Sequence, residues 1–234
     1  AHGIIFAAAD ISKLKQAEEA MKKTAEERNR TINEMKQLMD FATTMREEIH
    51  EEELIKHIAR FFKDNFSADI VAVLMFDREK NVLDVPVIDP PMPADKLIKA
   101  DACLNPSLCR IIRTGHEYVV RDINKDIPCE CISHSLKEGG YACLPLITGG
   151  ITIGAILIVK KDNVYLKSKE ALTLLSSHVG LAATTIQRVR LMELTKHAAV
   201  TDALTGIYNR GFFDEMLEKH IALSRRRNEP LSLI

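Results

Sequence analysis

The sequence predicts an α+β protein: an antiparallel sheet flanked by helices, with a long helix leading in and another leading out. Three features predict it. Residues 11–65 contain neither Gly nor Pro and are rich in Ala, Glu, Lys and Met, a composition that favours helix. Between about 69 and 160, β-branched and apolar runs alternate with turns carrying Gly, Pro and Asn, the pattern of strands. Beyond Leu166 a helical periodicity returns.

Composition narrows the function classes. The chain of 234 residues allows one or two domains. A net charge of −1 leaves no basic footprint for nucleic acid and no polybasic patch for a membrane surface. No apolar run approaches the roughly 20 residues that span a bilayer. Residues 4–9 are too short, and lack the basic flank, to be a signal peptide. Five cysteines, an odd number, without an export signal point to a reducing compartment, the cytoplasm, with thiols free or bound to metal.

Taken in order, residues 4–9 read as a short strand. Asp10-Ile11-Ser12 followed by Lys15-Gln16-Ala17-Glu18-Glu19 resembles the D-I-T-x-x-K-x-A-E boundary that joins PAS domains to coiled coils. The resemblance implies that residues 1–10 are a PAS C-terminal remnant. Residues 11–50 read as a coiled-coil helix. Leu14, Met21, Met35 and Ala42 share one heptad position, and Ala25, Ile32 and Met39 share its partner. Arg28 lies in the same seam, where a charge either fixes pairing register or lays its stem along the seam and turns its head to water. The stripe predicts a parallel homodimer, with packing onto the chain's own domain as the alternative.

Residues 51–185 read as one α+β domain. Strands are expected at 69–76, 82–88 and 117–120. A helix is expected from Asn105-Pro106 to just before Gly115, with Pro at its first position and Gly past its end. A hairpin follows, 141–148 and 151–160, closed by Gly149-Gly150. It resembles the S-x-x-x-x-P-L-x-x-x-G-x-x-I-G-x-L-x-L signature of GAF domains through Pro145, Leu146, Gly150, Ile153 and Gly154. Gly140 stands where the signature has Ser, and Ile156 and Ile158 replace its two Leu. The resemblance implies a GAF-like sheet whose small-ligand pocket is enclosed by the sheet face, the short helix and the loop before the hairpin.

The cysteines fall on those pocket elements. Cys103 and Cys109 flank the start of the short helix, Cys129, Cys131 and His134 lie in the loop, and Cys143 is on the hairpin. These six are the candidate ligand- or cofactor-binding residues. Cys103, Cys109, Cys129 and Cys131 can be read as a tetrahedral sulfur set for zinc or an iron–sulfur cluster. They can equally be read as a thiol switch, with Cys129 or Cys131 bonded to Cys103 or Cys109. A structural reading makes Cys109 and Cys143 small buried hydrophobes. C-x5-C with C-x-C is not the repeated C-x2-C of a zinc ribbon, so spacing alone does not choose.

In the last helix Leu172, Leu175, Val179, Ala182, Ile186 and Val189 alternate spacings of three and four, the pattern of a dimer seam. Glu193 interrupts it, and the stripe resumes displaced at Leu191, Leu194 and Ala198. Residues 186–201 thus read as a signalling helix. It leads into a segment, 202–210, whose Asp202, Leu204, Thr205, Gly206, Asn209 and Arg210 resemble the D-x-L-T-G-L-x-N-R motif that opens GGDEF domains, the diguanylate cyclases. The resemblance implies that residues 202–234 are a truncated start of that domain. Mg²⁺ and GTP then belong to the absent catalytic part, and no catalysis is expected from this chain. The reading is a sensory module that dimerises, takes a small ligand and controls cyclic di-GMP output. The alternatives are a GAF-type enzyme such as a free methionine sulfoxide reductase, and a ligand-free dimerising spacer.

Overall fold

The computed structural model describes residues 2–48, 50–162, 164–202 and 204–233, with side chains described at 15, 17–48, 50–162, 166–202 and 204–233. The chain forms α1 (His2–Arg46), α2 (Glu51–Asn65), β1 (Ile70–Asp77), β2 (Val82–Asp89), α3 (Ala100–Leu104), α4 (Arg110–Thr114) and β3 (Tyr118–Val120). It continues through β4 (Gly140–Thr148), β5 (Ile151–Lys160), α5 (Val164–Lys167), α6 (Lys169–Val200) and α7 (Arg210–Arg227). The expected class is observed: a five-stranded sheet of order β2-β1-β5-β4-β3, every pair antiparallel. Gly149 and Gly150 close the β4–β5 hairpin at φ +57° and +76°, the two left-handed residues of a tight primed turn. No helix among the described residues is long and apolar enough to cross a membrane.

Alternation along the strands divides the core into two layers. Val71, Val73, Ala142, Leu144, Ile156 and Ile158 face the long helices. Ala72, Leu74, Tyr141, Cys143, Ala155 and Leu157 face the short helices and the 121–139 loop. The long-helix layer is built by apolar stripes. α2 buries Leu54, Ile55, Ile58, Ala59 and Phe62, one face of a helix, while Glu51, Glu52 and Glu53 complement the dipole at its start. Ser168 Oγ accepts the Ala171 N–H at 3.2 Å and so caps α6.

Three expectations need correction here. Residues 4–9 are not a strand. They lie inside α1, whose Ala7-Ala8-Ala9 are the strongest helix formers. The helix expected through 11–65 stops at Arg46 and restarts at Glu51. Nothing local breaks it; Phe41 and Met45 of α1 and Leu54 and Ile58 of α2 must enter the same core, which requires the chain to reverse. The seam Leu172, Leu175, Val179, Ala182, Ile186 and Val189 is buried in the chain's own core against the sheet, α1 and α2, so it is not a free dimer face. Its three–four spacing is that of any helix with one buried side.

α1 and α6 run parallel. Arg30 lies near Glu170, Phe41 packs on His178 at 5.7 Å, and Arg188 reaches Met45. The opposite side of α1 is open, with Met21 76%, Ile32 61%, Met35 63% and Met39 65% exposed. Ala25 and Arg28 are exposed with them. Leu14, the first position of that stripe, lies outside the described side chains.

Candidate functional site

The cysteine region is built on the short-helix side of the sheet. The single helix expected after Pro106 is in two pieces. A 3-10 turn, Pro106–Leu108, ends at Cys109, whose extended backbone (φ −75°, ψ 113°) starts α4. The break turns the Cys109 side chain inward, where it is buried. Gly115, at φ +65°, ends α4 as expected.

The 121–139 loop is fixed through its backbone. Lys99 N–H donates to Cys131 O and Ser133 N–H donates to Leu97 O, both at 2.9 Å, around a bridge between Ile98 and Ile132. The Cys129 N–H donates to Tyr141 Oη at 2.6 Å, so the fully buried Tyr141 of β4 anchors the C-x-C segment. Tyr118 Oη donates to Ile127 O at 2.7 Å, with the Arg110 guanidinium 4.5 Å from its ring centroid. Asp126 accepts the N–H groups of Arg121 and Asp122, and Asp122 accepts that of Asn124, so these carboxylates shape the loop.

These constraints bring three thiols together. Cys109, Cys131 and Cys143 share one buried cluster with Cys129 packed against it, and hydrogen bonding couples the Cys131 thiol to those of Cys109 and Cys129. Hydrogen bonding from Cys131 comes first in pulling the Cys129 thiol down, to about 6, and the N–H groups of Cys131 and Arg110 act in the same sense. Cys109 is lowered to about 7, again first by Cys131, then by the N–H groups of Ile112 and Ile111. Cys131 is raised by the same two contacts. Cys131 has one S–H and two sulfur neighbours, so it serves one thiolate at a time; the trio holds one negative charge readily and resists a second. Cys143 lies beside Cys109 and Cys129, and burial pushes its thiol well up.

Cys103, on α3, packs against the same cluster. Burial, then Asp84, Asp101 and Cys109, raise its thiol. His134 does not join the sulfurs; it lines a groove of about 510 Å³ together with Cys129, Lys99, Asn124, Glu130 and Lys137. Among the described residues, no three His, Cys, Asp or Glu side chains are grouped so as to hold a metal ion. Cys103, Cys109, Cys129 and Cys131 are not grouped in that way among the described residues.

Two further constellations lie on the long-helix side of the sheet. His178 is fully buried among Phe41, Phe61, Phe62 and Phe66, with ring centroids 5.2–6.4 Å away. Its Nδ1 bonds Leu174 O at 2.9 Å, and its Nε2 finds no partner within hydrogen-bond geometry among the described residues. Burial lowers its pKa, with weaker opposing pulls from the Leu174 and Gln37 backbone. The other is a latch at the α1–α2 break. Arg188 Nη2 approaches the carbonyls of Met45, Arg46 and Glu48 at 3.3–3.4 Å, and Arg190 binds the Glu51 carboxylate through Nε at 2.9 Å and through Nη2. The signal for both was a polar residue in or beside the helix stripe.

The segment after α6 forms a compact elbow. Asp202 Oδ1 accepts the N–H groups of Leu204 and Thr205 at 3.2 and 2.9 Å and the Thr205 hydroxyl at 2.7 Å. Gly206 takes φ +71°. Asn209 caps α7 by accepting the Phe212 N–H at 3.0 Å and donates from Nδ2 to Ala199 O at 2.7 Å. Arg210 pairs with Asp214 at 3.6 Å. Leu204 is 94% exposed, and α7 buries none of its residues. Ala203 lies outside the described residues.

No family model matches the chain, and no curated protein matches it. Solved structures share its fold. The GAF domain of an Acinetobacter phosphoenolpyruvate-protein phosphotransferase aligns with a TM-score of 0.56 at 9% identity, over 67% of this chain and 94% of that one. The GAF domain of the Coxiella burnetii phosphoenolpyruvate-protein phosphotransferase gives 0.56 at 13% identity, over 70% and 98%. That of the cyanobacteriochrome TePixJ gives 0.53 at 16% identity, over 63% and 95%. At these identities the likeness is one of fold.

Proposed function

We propose that this GAF-like chain is a dimeric sensory and transmitting segment that controls a diguanylate cyclase output. The observation that carries the reading is the continuity of α6. One helix is buried on the sheet through Ala171–Val189 and runs without a break to the 202–210 elbow. A change in packing on the sheet can thereby reach the elbow as a rotation or shift of a rigid rod, if two packings lie within a few kcal/mol and a ligand binds them unequally.

The elbow supports the choice of output. Asp202, Thr205, Gly206 and Asn209, the polar and glycine positions of the GGDEF-opening motif, are the residues that make the turn. Exposed Leu204, Ile207, Tyr208 and Phe213 suit contacts within a larger catalytic unit. The open stripe Met21, Ile32, Met35 and Met39 on α1 suits pairing with the same stripe of a second copy.

The test joins residues 1–201, in helical register, to a complete GGDEF catalytic domain. Cyclic di-GMP output that changes when one residue of α6 is deleted between Val189 and Val200 supports the reading. Output indifferent to that register overturns it.

A further inference from the structure

We propose that Cys109, Cys131 and Cys129 form a thiol–disulfide exchange site whose oxidised state is a Cys109–Cys131 disulfide, loaded by a small anionic disulfide of the glutathione class that reaches Cys129 through the adjoining groove. Three observations converge on it. Cys109 and Cys131 are buried in one cluster with Cys129 packed against it, on a loop that Lys99 and Tyr141 hold in place, and hydrogen bonding couples the Cys131 thiol to both others. Of the three, only Cys129 is part-exposed; Cys109 and Cys131 are 3% and 2% exposed. The groove beside Cys129 is lined by Lys99 and Lys137, cations suited to the carboxylates of such a peptide, and by Glu130, an anion suited to its ammonium group.

The order of steps follows from access. The Cys129 thiolate attacks one sulfur of the disulfide R–S–S–R, forming Cys129–S–S–R and releasing RS⁻. Cys131 gives its proton to that RS⁻ and attacks the Cys129 sulfur, displacing a second RS⁻. The C-x-C disulfide so formed closes a very small ring, which favours its further exchange. Cys109 then attacks the Cys131 sulfur and releases Cys129, and its proton goes to the second RS⁻. In total Cys109 and Cys131 lose two electrons and two protons, R–S–S–R becomes two RSH, and Cys129 returns unchanged. The product ties the start of α4 to the loop segment paired with Lys99. Cys103, with raised thiol and acidic neighbours, takes no part.

The test treats the reduced full chain with oxidised glutathione at neutral pH and maps disulfides by tryptic mass spectrometry, after metal analysis of the same preparation. A Cys109–Cys131 cross-link is expected, unchanged in Cys103→Ser and absent in Cys109→Ser. Cys129→Ser, at a part-exposed position, should keep its circular dichroism and form the cross-link about tenfold more slowly. Glutathione stalled on Cys129, a cross-link to Cys103, an unchanged rate in Cys129→Ser, or stoichiometric zinc or iron holding the thiols each overturn the proposal.

Discussion

Glu193 accepts the backbone N–H of Glu51 at 3.2 Å and pairs with His50 Nδ1 at 3.3 Å. A residue near the end of α6 thus caps the beginning of α2, from the position where the sequence periodicity of α6 breaks. With Arg188 on the last carbonyls of α1 and Arg190 on Glu51, three polar residues of α6 mark where the N-terminal helix ends and the next begins.

Glu193→Ala leaves the start of α2 uncapped. A loss of about 1 kcal/mol is expected. Thermal unfolding should show it as a Tm lower by a few degrees, and Glu193→Gln, which keeps an acceptor, should lose less. A double-mutant cycle between Arg190 and Glu51 should show a coupling of about 1 kcal/mol, because the pair is bidentate and only partly exposed.

His178 makes stability fall in acid. Burial lowers its folded pKa, so below the unfolded value of about 6.5 the unfolded chain takes up a proton that the folded one refuses. The stabilisation is complete above that value and is lost as pH falls toward the folded pKa, by at most ~1.4 kcal/mol per pH unit. Denaturant titrations of the wild type and His178→Phe between pH 7.5 and 5 isolate the effect, and the difference in slope should appear only below about pH 6.5.

Gly154 and Gly150 should differ sharply on conversion to Ala. A Cβ at Gly154 would lie 2.1 Å from Leu74 O on the neighbouring strand β1, so Gly154→Ala should cost about 3 kcal/mol or prevent folding. At Gly150 nothing lies within 4 Å and only the backbone at φ +76° objects, a cost of about 1 kcal/mol. Chemical denaturation of the two variants checks the order.

Met35→Glu on the open stripe of α1 should shift the chain from dimer to monomer in sedimentation equilibrium without lowering its helicity, because Met35 is exposed within the chain. A variant that sediments like the wild type removes the support this stripe gives to dimerisation.

The sheet was legible because its signals are local: apolar runs rich in β-branched residues in β1 and β5, and a Gly-Gly turn between β4 and β5. Gly140, a departure from the GAF signature, also finds a physical reason, since any Cβ there would lie 2.5 Å from Val120 O. The break between Arg46 and Glu51 was not legible, since α1 and α2 turn into one shared core and are held at it by Arg188 and Glu193, about 140 residues away. Nor does helical periodicity say whether a stripe faces the chain's own sheet or a second copy; the α6 stripe proved to be core, and the α1 stripe is open. At the site, the sequence put the cysteines on neighbouring elements. It could not rank them, because the contrast between Cys103 and Cys131 depends on neighbours that only the folded loop supplies.

The parallel course of α1 and α6 gives the domain a through-axis. Strain arriving along α1 meets the core at Phe41 and Met45, and α6 leaves in the same direction from Val189 onward. On the proposed function the domain sits in series with whatever drives it, like a clutch on a shaft: units of this kind can be strung end to end without reversing the line of force, and the setting of the sheet and its thiols then decides how much of a twist is passed on.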